Sequence, residues 1–224
     1  MKGRFIIYKF DPRKDVKPLP VEYTLTIDPK ETVLMALIQI RETLDPDLAF
    51  RYACGARKCG ECGMLINKKA VLACDEQVRP DQTVKPLPFF PVIKDLVVDT
   101  ESFIQKTFRT IFDETLELKT TDGIVPIDLN ILKTYLEPTR CMGCLLCQAT
   151  CPLLRKAETG FVGPYPLLAL SQIALDPRWE GAFEPLIKRM DIHACTECGM
   201  CAKICPQGID LPAFFRLLDK RRDT

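Results

Sequence analysis

Short runs of alternating apolar and polar residues open the chain. Arg4–Phe10 (RFIIYKF) and Tyr23–Ile27 (YTLTI) carry that two-residue period, and each predicts a β-strand. The pattern changes at Asp28-Pro29-Lys30-Glu31. Asp as N-cap, Pro at the first helical position and Glu at the third predict a helix start there. Val33, Leu34, Leu37 and Ile38 then line one face, and Asp45-Pro46 sets the end near Leu44. After an interval dense in cysteine and glycine, GMLINKKAVLAC (63–74) reads as a hairpin with Asn67-Lys68-Lys69 at its turn. Beyond the Pro-rich KPLPFFP (85–91) the period lengthens. Residues 94–119, 166–176 and 211–222 space their apolar positions three and four apart, which predicts helices. The expected fold class is α+β: a small mixed domain over residues 1–100, then an all-α domain over 101–224.

Composition changes this picture in one respect. Of 224 residues 47% are hydrophobic, and 31 Lys+Arg face 30 Asp+Glu, so a buried core is possible and a nucleic-acid footprint is not indicated. The outlying number is twelve cysteines. Thr32–Ile40 and Phe161–Leu175, the longest apolar stretches, are interrupted by Gln39 and by Pro164, Pro166, Ser171 and Gln172, and fall short of the ~20 residues of a membrane helix. The opening MKGRFIIYKFDPRKD has too short an apolar core for a signal peptide. A reducing cytoplasmic setting is therefore expected, and there cysteines point to metal rather than to disulfides.

Four cysteines fall between 54 and 74, and eight between 141 and 205. The first set, Cys54-x4-Cys59-x2-Cys62-x11-Cys74, has the plant-type [2Fe-2S] spacing. Gly55, Gly60 and Gly63 let its loop bend close to sulfur, so that backbone N–H groups can face the thiolates. A zinc site is the alternative, but zinc usually takes two separated pairs and this set has one. The remaining eight form an internal repeat, CMGCLLCQATCP (141–152) and CTECGMCAKICP (195–206). Each is the bacterial ferredoxin run, in which three cysteines cap one cluster and the fourth crosses to the other. That rule pairs Cys141, Cys144 and Cys147 with Cys205, and Cys195, Cys198 and Cys201 with Cys151. Zinc ribbons would not need the third cysteine of each triplet. Three four-thiolate clusters, each about −2, would move the net charge from +1 to about −5.

Other candidates carry less. Arg57 and Lys58 lie inside the first loop, where their charge could favour a reduced cluster; the plainer reading is an exposed basic loop. His193, the only histidine, precedes Cys195 by two residues and reads as a surface or packing residue, and Trp179 as a packing residue. No nucleophile–base pair, phosphate-binding glycine loop or flavin fingerprint is present. The chain reads as a conductor of electrons, with substrate chemistry on a partner.

One plant-type set followed by two bacterial-type runs resembles the iron–sulfur subunit of succinate dehydrogenase/fumarate reductase. LDPDLAFRYACGARKCGECGM, the hairpin ending LAC, PVIKDLVVD, FVGP and CPQGIDLPA carry the resemblance over nearly the whole chain. It implies an N-terminal β-grasp plant-type ferredoxin domain and a C-terminal helical, bacterial-ferredoxin-like domain. It also implies a flavoprotein partner with covalent FAD that interconverts succinate and fumarate. Electrons would pass from FAD to the [2Fe-2S] centre, then to the [4Fe-4S] centre of Cys141, Cys144, Cys147 and Cys205, then to the distal centre. In most of the family quinone binds beside that last centre, at an interface with membrane subunits, which implies a peripheral place at the inner face of the cell membrane.

Two departures bear on that end of the wire. Most of the family lacks a cysteine at the position of Cys198 and holds a distal [3Fe-4S] cluster. A thiolate here implies a [4Fe-4S] cluster on Cys151, Cys195, Cys198 and Cys201, of lower potential, with [3Fe-4S] on Cys151, Cys195 and Cys201 as the alternative. The Ser and Trp residues that usually border quinone are replaced by Pro152 and Leu153-Leu154-Arg155-Lys156, and the usual histidine by Thr196. This pattern is similar to the archaeal and anaerobic variants, in which a cysteine-rich subunit replaces the membrane anchor. Some related fumarate reductases take electrons from thiols, so a thiol-linked or heterodisulfide-reductase-type complex is a second reading. A free-standing carrier and a structural zinc module are the remaining ones. The direction of flux is not encoded.

Overall fold

Alternation along the first strand decides the sheet. In the computed structural model, which describes residues 1–112, 116–118, 128–156, 160–181 and 183–220, β1 (Lys2–Lys9) buries Phe5 and Ile7 and turns Arg4 outward. β2 (Leu19–Thr26) pairs with it antiparallel, with Phe5 opposite Tyr23. Helix α1 (Val33–Thr43) follows, then β3 (Gly63–Ile66) and β4 (Lys69–Leu72) as a hairpin, then β5 (Asp81–Lys85). β5 lies between β1, to which it is parallel, and β3, to which it is antiparallel, giving the order β2-β1-β5-β3-β4. Phe5, Ile7, Met64, Ile66 and Val84 from the sheet and Val33, Ala36, Leu37 and Ile40 from α1 are at most 2% exposed and form the core.

The helix begins later than its sequence signal. Asp28 and Glu31 make only half of a capping box: the Asp28 N–H donates to Glu31 Oε2 at 3.2 Å, but the Asp28 carboxylate accepts from the Lys30 N–H at 3.0 Å. They close a free turn, however, and Thr32 caps the helix by accepting from the Met35 N–H at 3.4 Å. The Val33 and Leu34 N–H groups are taken by the Glu76 and Ala73 carbonyls, which fixes the start at 33. The hairpin turn is Asn67-Lys68, both at positive φ (48° and 69°), the geometry of a two-residue β-hairpin.

The helical reading of 94–119 fails at both ends. β6 (Val92–Lys94) and β7 (Val97–Val98) form a small hairpin instead, bent at Asp95 with φ 47°. The cause is tertiary. The Asp95 carboxylate is 1% exposed and accepts from the Phe10 N–H at 3.0 Å and the Ala49 N–H at 2.9 Å, while the Asp95 N–H donates to the Phe10 carbonyl. One side chain thus ties the end of β1, the approach to the cysteine loop and this hairpin. Among the described residues helix α2 covers Glu101–Phe112 and β8 covers Leu116–Leu118; residues 113–115 and 119 lie outside them.

Helices α3 (Leu129–Thr139), α4 (Leu146–Thr150), α5 (Pro164–Ala174), α6 (Glu184–Arg189), α7 (Met200–Ile204) and α8 (Leu211–Lys220) complete the chain. β9 (Trp179–Gly181) pairs antiparallel with β8, a two-stranded ribbon in a unit otherwise helical among the described residues. Contacts divide the chain into Met1–Thr100 with Met142–Ala149, and Glu101–Cys141 with Thr150–Thr224. In the second unit α5 packs against α2, α3 and α8. Its FVGP entry explains the helix start: Gly163 has φ 99° and Pro164 stands at the first helical position. Arg178 donates to Asp176 (2.6–3.1 Å) and to the Tyr135 hydroxyl (3.1 Å), tying α3 to the turn before β9. No helix among the described residues is long and apolar enough to cross a membrane.

Asp95→Asn keeps the shape but turns one acceptor oxygen into a donor facing the Phe10 or Ala49 N–H. The expected loss is ~1–3 kcal/mol, seen as a lower thermal midpoint by anaerobic far-UV circular dichroism. Asp81→Asn breaks only the exposed Arg4–Asp81 pair (2.8 Å) and should change the midpoint little.

Candidate metal centres

The plant-type loop is wound by three left-handed residues, Gly55 (φ 62°), Arg57 (58°) and Gly60 (78°). The winding turns the backbone N–H groups of Ala56, Lys58 and Cys59 onto the Cys54 sulfur at 3.4, 3.2 and 3.3 Å, and the Cys54 N–H onto the Cys59 sulfur at 3.5 Å. Cys54 is exposed, yet these backbone donors, Ala56 and Lys58 first, bring its thiol down to about 6. The other pair is placed by the β3–β4 hairpin. Cys62 immediately precedes β3, Cys74 follows β4 by two residues, and the Ala73 N–H donates to the Cys62 carbonyl at 2.9 Å. Cys62 is buried, and burial, with Cys74 and Cys59 beside it, pushes its thiol up to about 12. The four sulfurs are therefore neighbours in two environments, an outer loop rich in N–H donors and an inner buried edge. Arg57 pairs with Asp75 at 3.3 Å on the surface, and Lys58 contributes its backbone N–H.

Residues 142–149 belong to this same unit, and they lie directly on the loop. A Cβ added to Gly60 would stand 3.0 Å from Cys144 Cβ and 3.2 Å from the Met142 carbonyl oxygen, and one on Gly63 would stand 3.3 Å from the Cys144 carbonyl oxygen. Only glycine permits that approach. Leu145 and Leu146, each 1% exposed, anchor the segment. Of the Cys141, Cys144, Cys147 and Cys205 set, Cys144 and Cys147 are in this unit and Cys141 and Cys205 in the other. Within that other unit the chain beside Cys141 is tied to the chain beyond Cys205, because Arg140 Nη2 donates to the Gln207 carbonyl at 2.9 Å. Gln172 Nε2 donates to the Pro138 carbonyl at 2.7 Å, which steadies the same approach.

The distal set is complete inside the second unit. Cys151, Cys195, Cys198 and Cys201 line one chamber, walled by Phe161, Pro164, Pro212 and Phe215. Burial pushes up Cys151, Cys195 and Cys201, the last to about 12, and the nearby Cys198 sulfur adds to the rise in each. So Cys198 stands beside all three of its partners. Its backbone repeats that of Cys144: Gly143 and Leu145 flank Cys144 at φ 68° and 59°, and Glu197 and Gly199 flank Cys198 at 50° and 70°. Glycine occupies the first of these positions in one run and the second in the other. Leu145 and Glu197 therefore hold conformations that cost L-residues about 1–2 kcal/mol.

Sequence reasoning missed these two strained residues and the close approach at Gly60. The signal available was the pair of glycines at offset positions of the repeat. His193 is exposed and faces Asp219 at 3.5 Å, and Trp179 packs on Phe112 with ring centroids 5.6 Å apart. None of the twelve cysteines forms a disulfide. Among the described residues no three His, Cys, Asp or Glu side chains are drawn up around a single metal ion. A set of soft thiolate donors alone, with backbone N–H groups aimed at sulfur, fits an iron–sulfur cluster.

Comparison with known proteins agrees with this donor chemistry. Residues 4–105 match the 2Fe-2S iron–sulfur cluster binding domain, and residues 137–209 match the 4Fe-4S dicluster domain. One component of the CoM/CoB fumarate reductase of Methanothermobacter marburgensis is 32% identical over 206 residues, 92% of this chain. The chain spans 37–41% of the length of that protein and of two uncharacterized iron–sulfur proteins from Methanococcus maripaludis and Methanocaldococcus jannaschii. The fumarate reductase iron–sulfur subunit of Wolinella succinogenes is 31% identical over 228 residues, 96% of this chain and 95% of its own length. A chain of the Mycobacterium smegmatis Sdh1 complex in the apo form superposes with a TM-score of 0.87 at 26% identity, covering 99% of this chain and 95% of that one. At such identity over matched lengths, the chain belongs to the family of iron–sulfur subunits of fumarate reductase and succinate dehydrogenase.

Proposed function

We propose that this chain is the electron-transfer subunit of a succinate/fumarate oxidoreductase, working between a flavoprotein partner that carries covalent FAD and an acceptor at the distal end. When bound, its clusters take up and pass on single electrons, and the chain does no substrate chemistry of its own. Cys54, Cys59, Cys62 and Cys74 would hold a [2Fe-2S] cluster. Cys141, Cys144, Cys147 and Cys205 would hold a [4Fe-4S] cluster. Cys151, Cys195, Cys198 and Cys201 would hold the third, also [4Fe-4S]. The observation that carries this last assignment is the Cys198 sulfur beside each of the other three thiols of one chamber. The N–H donors on Cys54 and the Gly60–Cys144 contact have complementary roles. The first favours added negative charge on the loop, and the second keeps a ligand of the middle set against it.

The acceptor side has two candidates: a membrane anchor with quinone, or a cysteine-rich subunit of the heterodisulfide-reductase kind with thiols. Similarity to the CoM/CoB fumarate reductase component, together with Thr196 and the Leu153-Leu154-Arg155-Lys156 segment, favours the second. In either case attachment at the inner face of the cell membrane would come through partners. Co-purification of the tagged chain separates them by what accompanies the flavoprotein.

Anaerobically purified chain is expected to contain about 10 irons and to be silent by low-temperature EPR until reduced; Cys198→Ala should contain about 9 and show an oxidised three-iron signal. Nine irons with that signal in the native chain would overturn the four-thiolate assignment. A second test separates strain from contact in the first loop. Gly55→Ala meets nothing within 4 Å and carries only the cost of a positive φ, whereas Gly60→Ala adds the collision with Cys144. Gly60→Ala should therefore lose distinctly more [2Fe-2S] absorbance per chain and melt lower; equal losses would show that the contact is not limiting.

A further inference from the structure

The four thiols of the distal chamber are not equivalent. Cys151 and Cys201 are buried at 7% exposure and Cys195 is half-buried, whereas Cys198 is exposed. The three inner sulfurs each accept backbone N–H groups, Cys151 from Leu153 and Leu154, Cys195 from Glu197, and Cys201 from Ala202. The inner wall is apolar, with Phe161 4% and Phe215 3% exposed. The rim next to Cys198 is open: Thr196 and Glu197 are exposed, and Met200 is 43% exposed. A surface ion pair, Arg216 Nη1 to Glu197 Oε2 at 2.5 Å, fastens that rim to α8. Three corners of a cluster seated here would face protein, and the fourth would face the opening.

We propose that the iron held by Cys198 is a detachable corner, and that one-electron oxidants convert the distal centre from a four-iron to a three-iron form. This rests on the four-thiolate assignment above. In the conversion [4Fe-4S]2+ gives one electron to the oxidant and one Fe2+ to solvent and becomes [3Fe-4S]+. All four sulfides stay, the Cys198–iron bond and three iron–sulfide bonds break, and the freed thiolate takes a proton from water. The inner sulfurs keep the remaining three irons because burial and backbone donors hold them in place. The other exposed cluster cysteine, Cys54, differs in that three loop N–H groups already hold its sulfur. Cys198 thus serves as a site of reversible modification, open to thiol reagents only when its iron has left.

The test uses anaerobically purified, cluster-loaded chain titrated with ferricyanide. EPR, ferrous iron captured by a chelator, and iodoacetamide labelling mapped by mass spectrometry are followed together. The expected result is release of about one Fe2+ per chain, in step with an oxidised three-iron signal, and labelling of Cys198 while Cys151, Cys195 and Cys201 stay protected. Ferrous iron with a thiol reductant should then abolish the signal. Cys198→Ser should show the signal before oxidation or release its iron at lower ferricyanide. A ten-iron protein that keeps all its iron, or loses the distal cluster whole with all four cysteines labelled together, overturns the proposal and leaves the four-thiolate assignment standing. A nine-iron protein bearing the signal before any oxidant overturns that assignment and the proposal with it.

Discussion

A thiol becomes a good cluster ligand only as a thiolate, and in a folded chain that requires either water or N–H donors close to sulfur. Most of the local structure follows from this demand. To aim successive N–H groups at one sulfur the backbone must turn left-handed between cysteines, as at Gly55, Arg57 and Gly60 around Cys54. Such turns make no regular hydrogen-bond ladder of their own. They persist because rigid elements hold both ends. The β3–β4 register fixes Cys62 and Cys74, Asp95 fixes the approach at Ala49, and Arg140 and Gln172 fix the approach to Cys141.

The two units meet this demand differently. In the first, a sheet whose middle strand β5 is parallel to one neighbour and antiparallel to the other leaves a hairpin edge to place Cys62 and Cys74, while a loop places Cys54 and Cys59. In the second, short helices start or stop at the cysteines: α7 runs Met200–Ile204, ending just before the fourth cysteine of its run. A helix that short has little stability of its own, and it packs against α8, whose Phe214, Phe215 and Leu218 are buried.

The parts of the molecule legible in the sequence are those governed by near neighbours. Asn67-Lys68-Lys69 marked the hairpin turn, of which Lys69 proves to open β4, and apolar periodicity marked α5 and α8 close to their observed ends, Pro164–Ala174 and Leu211–Lys220. What escaped is governed by partners far along the chain. Asp81–Lys85 (DQTVK) has too few apolar residues to stand out, and becomes a central strand because β1 and β3 both lack a partner there. The helix-like spacing of 94–119 begins within the 92–98 hairpin, and Asp95 overrules it there by accepting from Phe10 and Ala49, 85 and 46 residues away. Asp28 and Glu31 read as a helix cap, but the carbonyls that start α1 come from Ala73 and Glu76. In the distal chamber the sequence showed four thiols, whereas their unequal exposure arises from the folding of residues 161–164 and 212–215 behind three of them.

The membership of Met142–Ala149 in the first unit has a consequence for synthesis. A nascent chain that has cleared residue 100 holds every cysteine of the plant-type set but still lacks Leu146, which packs at Gly63. The stretch from 101 to 149 takes roughly 2–10 seconds to synthesise at ordinary elongation rates. During that interval the first loop has its thiols but not the 142–149 segment that lies against Gly60 and Gly63. Completion of the first unit then waits on residues 142–149, which lie in the first of the two repeated cysteine runs, so this unit cannot close until part of that run has been translated.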